Sequence, residues 1–124
     1  MCDSQEFEIE FLKDVLSHKK DYIEVVKLLS SIYGKQLNYP QALKMDKQLI
    51  KLKPHCETAH YNHACTLALM GKETAAIKAL TESFRLGFRD LDWLMEDPDM
   101  EDLRKSSKFQ KLIKELKGNL DLNF

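Results

Sequence analysis

Two stretches of this chain match each other at a 34-residue shift of the sequence. The shift sets apolar residues against each other at five pairs of positions: Tyr33 and Leu67, Ala42 and Ala76, Leu43 and Ile77, Ile50 and Phe84, Leu52 and Leu86. Three pairs break the match: Leu29 and His63, Asp46 and Leu80, Leu49 and Ser83. A period of this length is typical of stacked helix pairs, so the sequence favours a helical repeat.

The local pattern agrees with this interpretation, because apolar residues recur at helical spacing and β-branched alternation is absent. Start and stop residues predict where individual helices begin and end. These are a capping pair at Asp3 and Glu6, a start at Asp21, stops at Gly34, Gly71 and Gly87, an opening at Pro40, an end at Pro54, and a start at Asp97 and Pro98.

The paired segments resemble the tetratricopeptide family. In YPQALKMDKQLIKLKP, Tyr39, Ala42 and Pro54 stand as in the second helix of a repeat. The next stretch, HYNHACTLALMGKETAAIKAL, carries the signature spacings at Ala64, Leu67, Gly71, Ala76 and Leu80. The continuation GFRDLDWLMEDPDMEDLRKSSKFQKLI is similar to the end-of-array motif of a bacterial subgroup of small proteins in this family.

This resemblance implies an all-α, tetratricopeptide-like superhelix, a right-handed solenoid of antiparallel helix pairs with helical caps. It predicts a single domain over residues 1–124. The predicted parts are an N-terminal capping helix (1–20), repeat 1 (23–54), repeat 2 (57–88), C-terminal capping helices (89–117) and a flexible tail (118–124).

Composition limits the kinds of function and the cellular location that the chain is expected to have. The chain has 19 basic and 20 acidic residues, so its net charge of −1 predicts neither nucleic-acid nor membrane binding. No apolar run reaches membrane-spanning length and the first residues lack a secretory pattern, so a cytoplasmic location is expected. The three cysteines are too few and too irregularly spaced for a disulfide framework, and reduced thiols are expected.

In a solenoid of helix pairs, the first helix of each pair lines the concave side. This register predicts a peptide-binding groove formed by nine residues: Glu24, Lys27, Ser31, Lys35, Thr58, Tyr61, Asn62, Cys65 and Leu69. Lysine and amide groups suit the backbone or a carboxylate of a peptide, and Tyr61 and Leu69 suit an apolar anchor. The alternative is that Tyr61 and Leu69 only pack against the first or last helix.

The predicted function is therefore a non-enzymatic scaffold or adaptor that binds a protein or peptide. Lys27 and Asn62 also fall where the carboxylate clamp of chaperone-binding family members has a lysine and an asparagine. The alternatives are a module that self-associates as a homodimer and a holder similar to a secretion chaperone.

A metal site or an enzymatic activity is the remaining alternative. Cys56, His60 and His63 fall at i, i+4 and i+7 of one helix, a spacing that could place three zinc ligands on one face. Because the same register puts His63 at a packing position and no CxxC pair accompanies it, no metal or other cofactor is expected. The sequence also has no nucleophile elbow and no phosphate-binding glycine loop, so no enzymatic activity is expected.

Overall fold

The computed structural model describes residues 4–119, and helices occupy most of this range. The elements are α1 (Ser4–His18), α2 (Ile23–Lys35), α3 (Tyr39–Leu52), α4 (Glu57–Leu69), α5 (Glu73–Arg85), α6 (Leu91–Glu96), a 3-10 turn (Pro98–Met100), α7 (Glu101–Arg104) and α8 (Ser107–Asn119). No strand occurs among the described residues. The predicted all-α fold of consecutive helix pairs is confirmed. Asp3 and most of the predicted tail (118–124) lie outside the described residues.

The chain forms two compact units, Met1–His55 and Cys56–Phe124, here called the first and second unit. The first unit contains α1 and the helix pair α2–α3. The second unit contains the helix pair α4–α5, followed by α6, the 3-10 turn, α7 and α8. Each unit therefore holds one of the two stretches that match at the 34-residue shift.

The period of the sequence match is visible in the backbone. Helices α2 and α4 begin at Ile23 and Glu57, and α3 and α5 begin at Tyr39 and Glu73, so both offsets equal the 34-residue shift. The turns inside the two pairs also match. In each turn an amide donates to a carbonyl five positions earlier at 2.9 Å: Asn38 to Tyr33 and Lys72 to Leu67. The two helix pairs are thus repeats of one structural motif.

The core of the first unit joins α1 to the helix pair. Ile9 and Leu12 of α1 belong to a buried cluster with Leu29 and Tyr33 of α2 and Ala42 of α3. A small residue at Ala42 lets the helices approach closely, as the repeat pattern predicts. Helix α1 therefore covers an apolar side of α2.

One position differs sharply between the pairs. Asp46 of α3 is 2% exposed, and its carboxylate accepts a 2.6 Å hydrogen bond from the hydroxyl of Ser30 on α2. One repeat period later, the same two positions hold Ala64 and Leu80, which are fully buried. A hydrogen-bonded polar pair in the first unit thus occupies the place of an apolar pair in the second. Asp46, which breaks the 34-residue match, can be buried in the helix pair because Ser30 satisfies its carboxylate.

The ends of three helices have a residue in the left-handed backbone conformation. Gly71 and Gly87 follow α4 and α5 with φ of 73° and 114°, as predicted, but α2 is followed by Leu37 with φ of 59°. The prediction that Gly34 ends α2 is wrong, because Gly34 lies inside that helix. Its carbonyl accepts from the amide of Leu37, which is one of the two hydrogen bonds of a Schellman cap.

Replacing Leu37 by glycine is expected to stabilise the first unit by about 0.5–1 kcal/mol. The left-handed conformation costs an L-residue about 1–2 kcal/mol, and the greater freedom of glycine in the unfolded chain offsets part of that gain. Leu37 is 70% exposed, so little packing is lost. Chemical denaturation measures the difference; Gly71→Leu, at the equivalent position, should destabilise the protein, and equal stability of Leu37→Gly and wild type would contradict the strain argument.

Candidate functional site

The four groove residues predicted in the first unit share one face of α2. Glu24, Lys27, Ser31 and Lys35 are all exposed and follow each other at spacings of three and four residues. The exposed apolar side chain of Leu28 lies among them, four residues after Glu24 and three before Ser31. We call these five residues the α2 face.

The predicted groove residues of the second unit divide into two groups. Thr58, Asn62 and Leu69 of α4 are at least partly exposed. Tyr61 and Cys65 are 4% and 8% exposed, so neither side chain is part of an open surface. Leu69 is 39% exposed, so only Tyr61 of the two predicted apolar anchors is buried.

Both buried side chains bond to Asp97, just after α6. The hydroxyl of Tyr61 donates to Oδ2 of Asp97 at 2.6 Å, and the thiol of Cys65 donates to the same oxygen at 3.6 Å. The other oxygen, Oδ1, accepts from the amide of Asp99 at 2.9 Å. The carboxylate of Asp97 therefore caps the 3-10 turn and attaches it to α4.

Two further contacts lie around this segment. The guanidinium of Arg104 donates to the backbone carbonyls of Asp97 and Leu94, at 2.7 and 3.0 Å. The ring of Tyr61 stacks on that of Phe88, with 4.3 Å between the ring centres. The acidic segment Asp97–Met100 is thus bound to α4 by the hydrogen bonds of Asp97, and its Met100 side chain is fully buried.

Burial determines the protonation state of Tyr61 and Cys65. Desolvation raises the pKa of Tyr61 well above its ordinary value, and the hydrogen bond to Asp97 raises it further. Desolvation also raises the pKa of Cys65, followed by the negative charge of Asp97. Both groups therefore stay protonated near neutral pH and act as hydrogen-bond donors, so Cys65 is no thiolate nucleophile here.

The second unit is expected to lose stability as the pH rises above about 9. Tyr61 and Cys65 ionise in the unfolded chain near 10.0 and 9.0 but stay protonated in the folded one. The folded state then binds more protons, so the free energy of unfolding falls by about 1.4 kcal/mol per pH unit for each group. Urea denaturation from pH 8 to 11 measures this slope, which Tyr61→Phe with Cys65→Ala should reduce; an unchanged slope would argue against it.

Metal ligation was predicted only as a remote alternative, at Cys56, His60 and His63. Within residues 4–119, the potential ligand atoms that lie within 4.8 Å of one another belong to a different set: Cys65, Asp97 and Asp99. The protonated thiol of Cys65 donates to Asp97, and desolvation followed by the charge of Asp97 raises the pKa of Asp99. Cys65, Asp97 and Asp99 therefore form a hydrogen-bonded cluster.

The α2 face and the face of α4 are related by the 34-residue repeat. Lys27 stands at the position equivalent to Tyr61, and Ser31 at the position equivalent to Cys65. In α4 these positions provide the two donors to the carboxylate of Asp97, and in α2 they carry an ammonium and a hydroxyl, which are also donors. The α2 positions are exposed and the α4 positions are buried.

Sequence reasoning identified Asp97 only as a helix start. That prediction is confirmed, because its side chain accepts from the amide of Asp99 at the start of the 3-10 turn. Its bond to Tyr61 joins residues 36 positions apart, and a helix-start pattern gives no indication of such a partner. An aromatic residue followed four residues later by a small thiol on one helix was the available signal, and it also fits ordinary packing.

No protein-family model matches the chain. It is 34% identical over 86 residues to a curated chloroplastic protein of Arabidopsis thaliana; the match covers 67% of this chain and 26% of that protein. The chain thus spans about a quarter of the relative's length. Between residues 4 and 119, no helix has both the length and the apolar character that crossing a bilayer requires.

Proposed function

We propose that this protein is a non-enzymatic scaffold of tetratricopeptide type that binds an acidic peptide segment of another protein on the α2 face. The 34-residue repeat of the helix pairs supports the family assignment. A cytoplasmic location and a protein or peptide partner remain part of this proposal.

The observation that carries the proposal is the bound segment in the second unit. There, the face of α4 holds the chain's own Asp97–Met100 through donors at Tyr61 and Cys65. The equivalent positions of α2, Lys27 and Ser31, offer donors of the same kind and are exposed. A segment from another protein can therefore bind the α2 face as the internal segment binds α4.

The chemistry of the α2 face determines what this segment contains. A carboxylate next to Lys27 and Ser31 would accept charge-assisted hydrogen bonds, which are stronger than those between neutral groups. Leu28 offers an apolar contact to a neighbouring side chain of the peptide. Glu24, at one end of the face, disfavours a second carboxylate close to it, so the direction of the bound peptide is also restricted.

Panning a random octapeptide phage library on the full chain tests the proposal. The selected peptides are expected to contain an aspartate or glutamate next to an apolar residue, and Lys27→Glu should remove their enrichment. Lys47→Glu, which makes the same charge change at an exposed position of α3, is the matched control. Absence of enrichment, or the same peptides selected by Lys27→Glu, would refute the assignment.

Self-association is a second candidate, favoured by two residues of α1. Phe7 and Phe11 are 72% and 59% exposed and lie one helical turn apart. Two exposed phenylalanines on one face are a surface that a second copy could bury. Light scattering over a range of concentrations should then show a dimer that Phe7→Ser with Phe11→Ser converts to a monomer, and a concentration-independent monomer would exclude it.

A further inference from the structure

The first unit has a recess on the opposite side of α2 from its exposed face. Its volume is about 370 Å³, within the lower part of the range for ligand-binding pockets. Its apolar lining consists of Leu16 of α1 and Met45 of α3, which are half-buried, and of Leu29 and Tyr33 of α2, which are buried beneath them. We call it the α1–α3 recess. It consists only of residues of the first unit.

The rim of the recess is polar and positively charged. Lys13 and Lys20 lie on the α1 side, and Gln41 and Gln48 lie on the α3 side. Its lining residues include no aspartate or glutamate. The ion pairs found within residues 4–119 are Arg85 with Glu82 and Lys105 with Asp102, so neither rim lysine takes part in one. An occupant with negative charge therefore complements this rim.

The glutamines fit the backbone of a peptide. Each side-chain amide has donors and an acceptor, which match the carbonyl and N–H groups of an extended chain. Gln48 donates one N–H to the carbonyl of Lys20 at 2.9 Å, which uses one of its two donors. Gln41 and Gln48 are two helical turns apart, so they span about 10 Å, the length of about three extended residues.

The lysines stand at the two ends of this span. Helices α1, α2 and α3 follow each other through short turns, so α1 and α3 run in the same direction. Lys20 lies at the Gln48 end, as their hydrogen bond requires, and Lys13 lies further back along α1, towards the Gln41 end. A lysine ammonium group therefore stands at each end of the recess, and the apolar side chains lie between the two.

We propose that the α1–α3 recess binds an extended acidic peptide segment in which an apolar side chain stands between two carboxylates. The apolar side chain packs between the half-buried Leu16 and Met45, above the buried Leu29 and Tyr33. The carboxylates bind Lys13 and Lys20, and the glutamines bind the peptide backbone. This site is separate from the α2 face and does not depend on it.

The probe is a fluorescein-labelled peptide, acetyl-Gly-Asp-Leu-Asp-Gly-amide, added to the full chain. Fluorescence anisotropy gives its Kd, which Lys13→Glu with Lys20→Glu should raise at least about tenfold. Lys44→Glu with Lys47→Glu reverses the same number of charges on exposed residues of α3 outside the recess and should leave the Kd within about twofold. Peptides with both aspartates changed to asparagine, or leucine changed to serine, should bind more weakly.

A second measurement locates the bound probe. In the ¹³C-methyl methionine NMR spectrum, the Met45 signal is expected to shift on peptide addition while the signal of Met95, in the second unit, stays in place. Absence of binding, equal affinity for the asparagine peptide, equal effects of the two double variants, or an unmoved Met45 signal would overturn the proposal. If Lys27→Glu alone removes binding, the peptide binds the α2 face: the recess proposal then fails and the proposed function stands.

Discussion

Replacing Leu80 by aspartate is expected to unfold the α4–α5 helix pair. Leu80 is fully buried, and the residue facing it in the repeat register, Ala64, has no group that can donate to a carboxylate. The variant buries an unpaired charge and also loses the packing of the leucine, at a cost of about 4–5 kcal/mol. Urea denaturation followed by circular dichroism measures the loss.

The first unit supplies the control for this prediction, because it contains an aspartate at the equivalent position. There, Asp46 is stabilised by the hydroxyl of Ser30 at 2.6 Å. Adding Ala64→Ser to Leu80→Asp should therefore restore part of the lost stability. Lys78→Asp, at an exposed position of the same helix, should have little effect. If Leu80→Asp were as stable as Lys78→Asp, the structural equivalence of the two helix pairs would be wrong at this position.

Replacing Asp97 by alanine is expected to destabilise the second unit by about 3 kcal/mol. The change removes the acceptor for the hydroxyl of Tyr61 and for the thiol of Cys65, and it leaves the amide of Asp99 without its cap. Losing a charged acceptor costs about 1.5–3 kcal/mol and losing a cap about 1 kcal/mol. Thermal and urea denaturation measure the sum.

Two variants show whether the effect comes from the acceptor. Asp97→Asn keeps an oxygen that can accept from Tyr61, so it should lose less stability than Asp97→Ala. Asp92→Ala removes an exposed carboxylate from α6 and should be close to wild type. Equal losses for Asp97→Asn and Asp97→Ala would show that the oxygen atoms of residue 97 contribute little.

Much of the fold could be predicted from the sequence because its signals are local. The spacing of apolar residues predicts the helices, and Gly71 and Gly87 occupy the left-handed positions that they were expected to occupy. The 34-residue match predicts helix pairs whose starts are separated by the same period, as the structure has them. The helix end predicted at Gly34 was wrong because Leu37 adopts a backbone conformation that leucine usually avoids.

The candidate site was less predictable, because its members depend on contacts between distant residues. The sequence marked Lys27 and Tyr61 alike as residues facing a groove. Lys27 is exposed, and Tyr61 is buried, stacks on Phe88 and bonds to Asp97, which lies 36 residues later. The membership of the chain in the tetratricopeptide family and the binding role of the α2 face remain predictions to be tested.

The sequence by itself determined the helices, their pairing at a 34-residue period and the start of the 3-10 turn at Asp97, since these depend on backbone preferences and on local side chains. Tertiary structure alone decided which helix faces are covered. On α4, Tyr61 and Cys65 are buried and bond to the carboxylate of Asp97, and the α2 face remains exposed. The physical reason is that burial depends on which distant group satisfies the polar atoms of a face, and periodicity contains no such information.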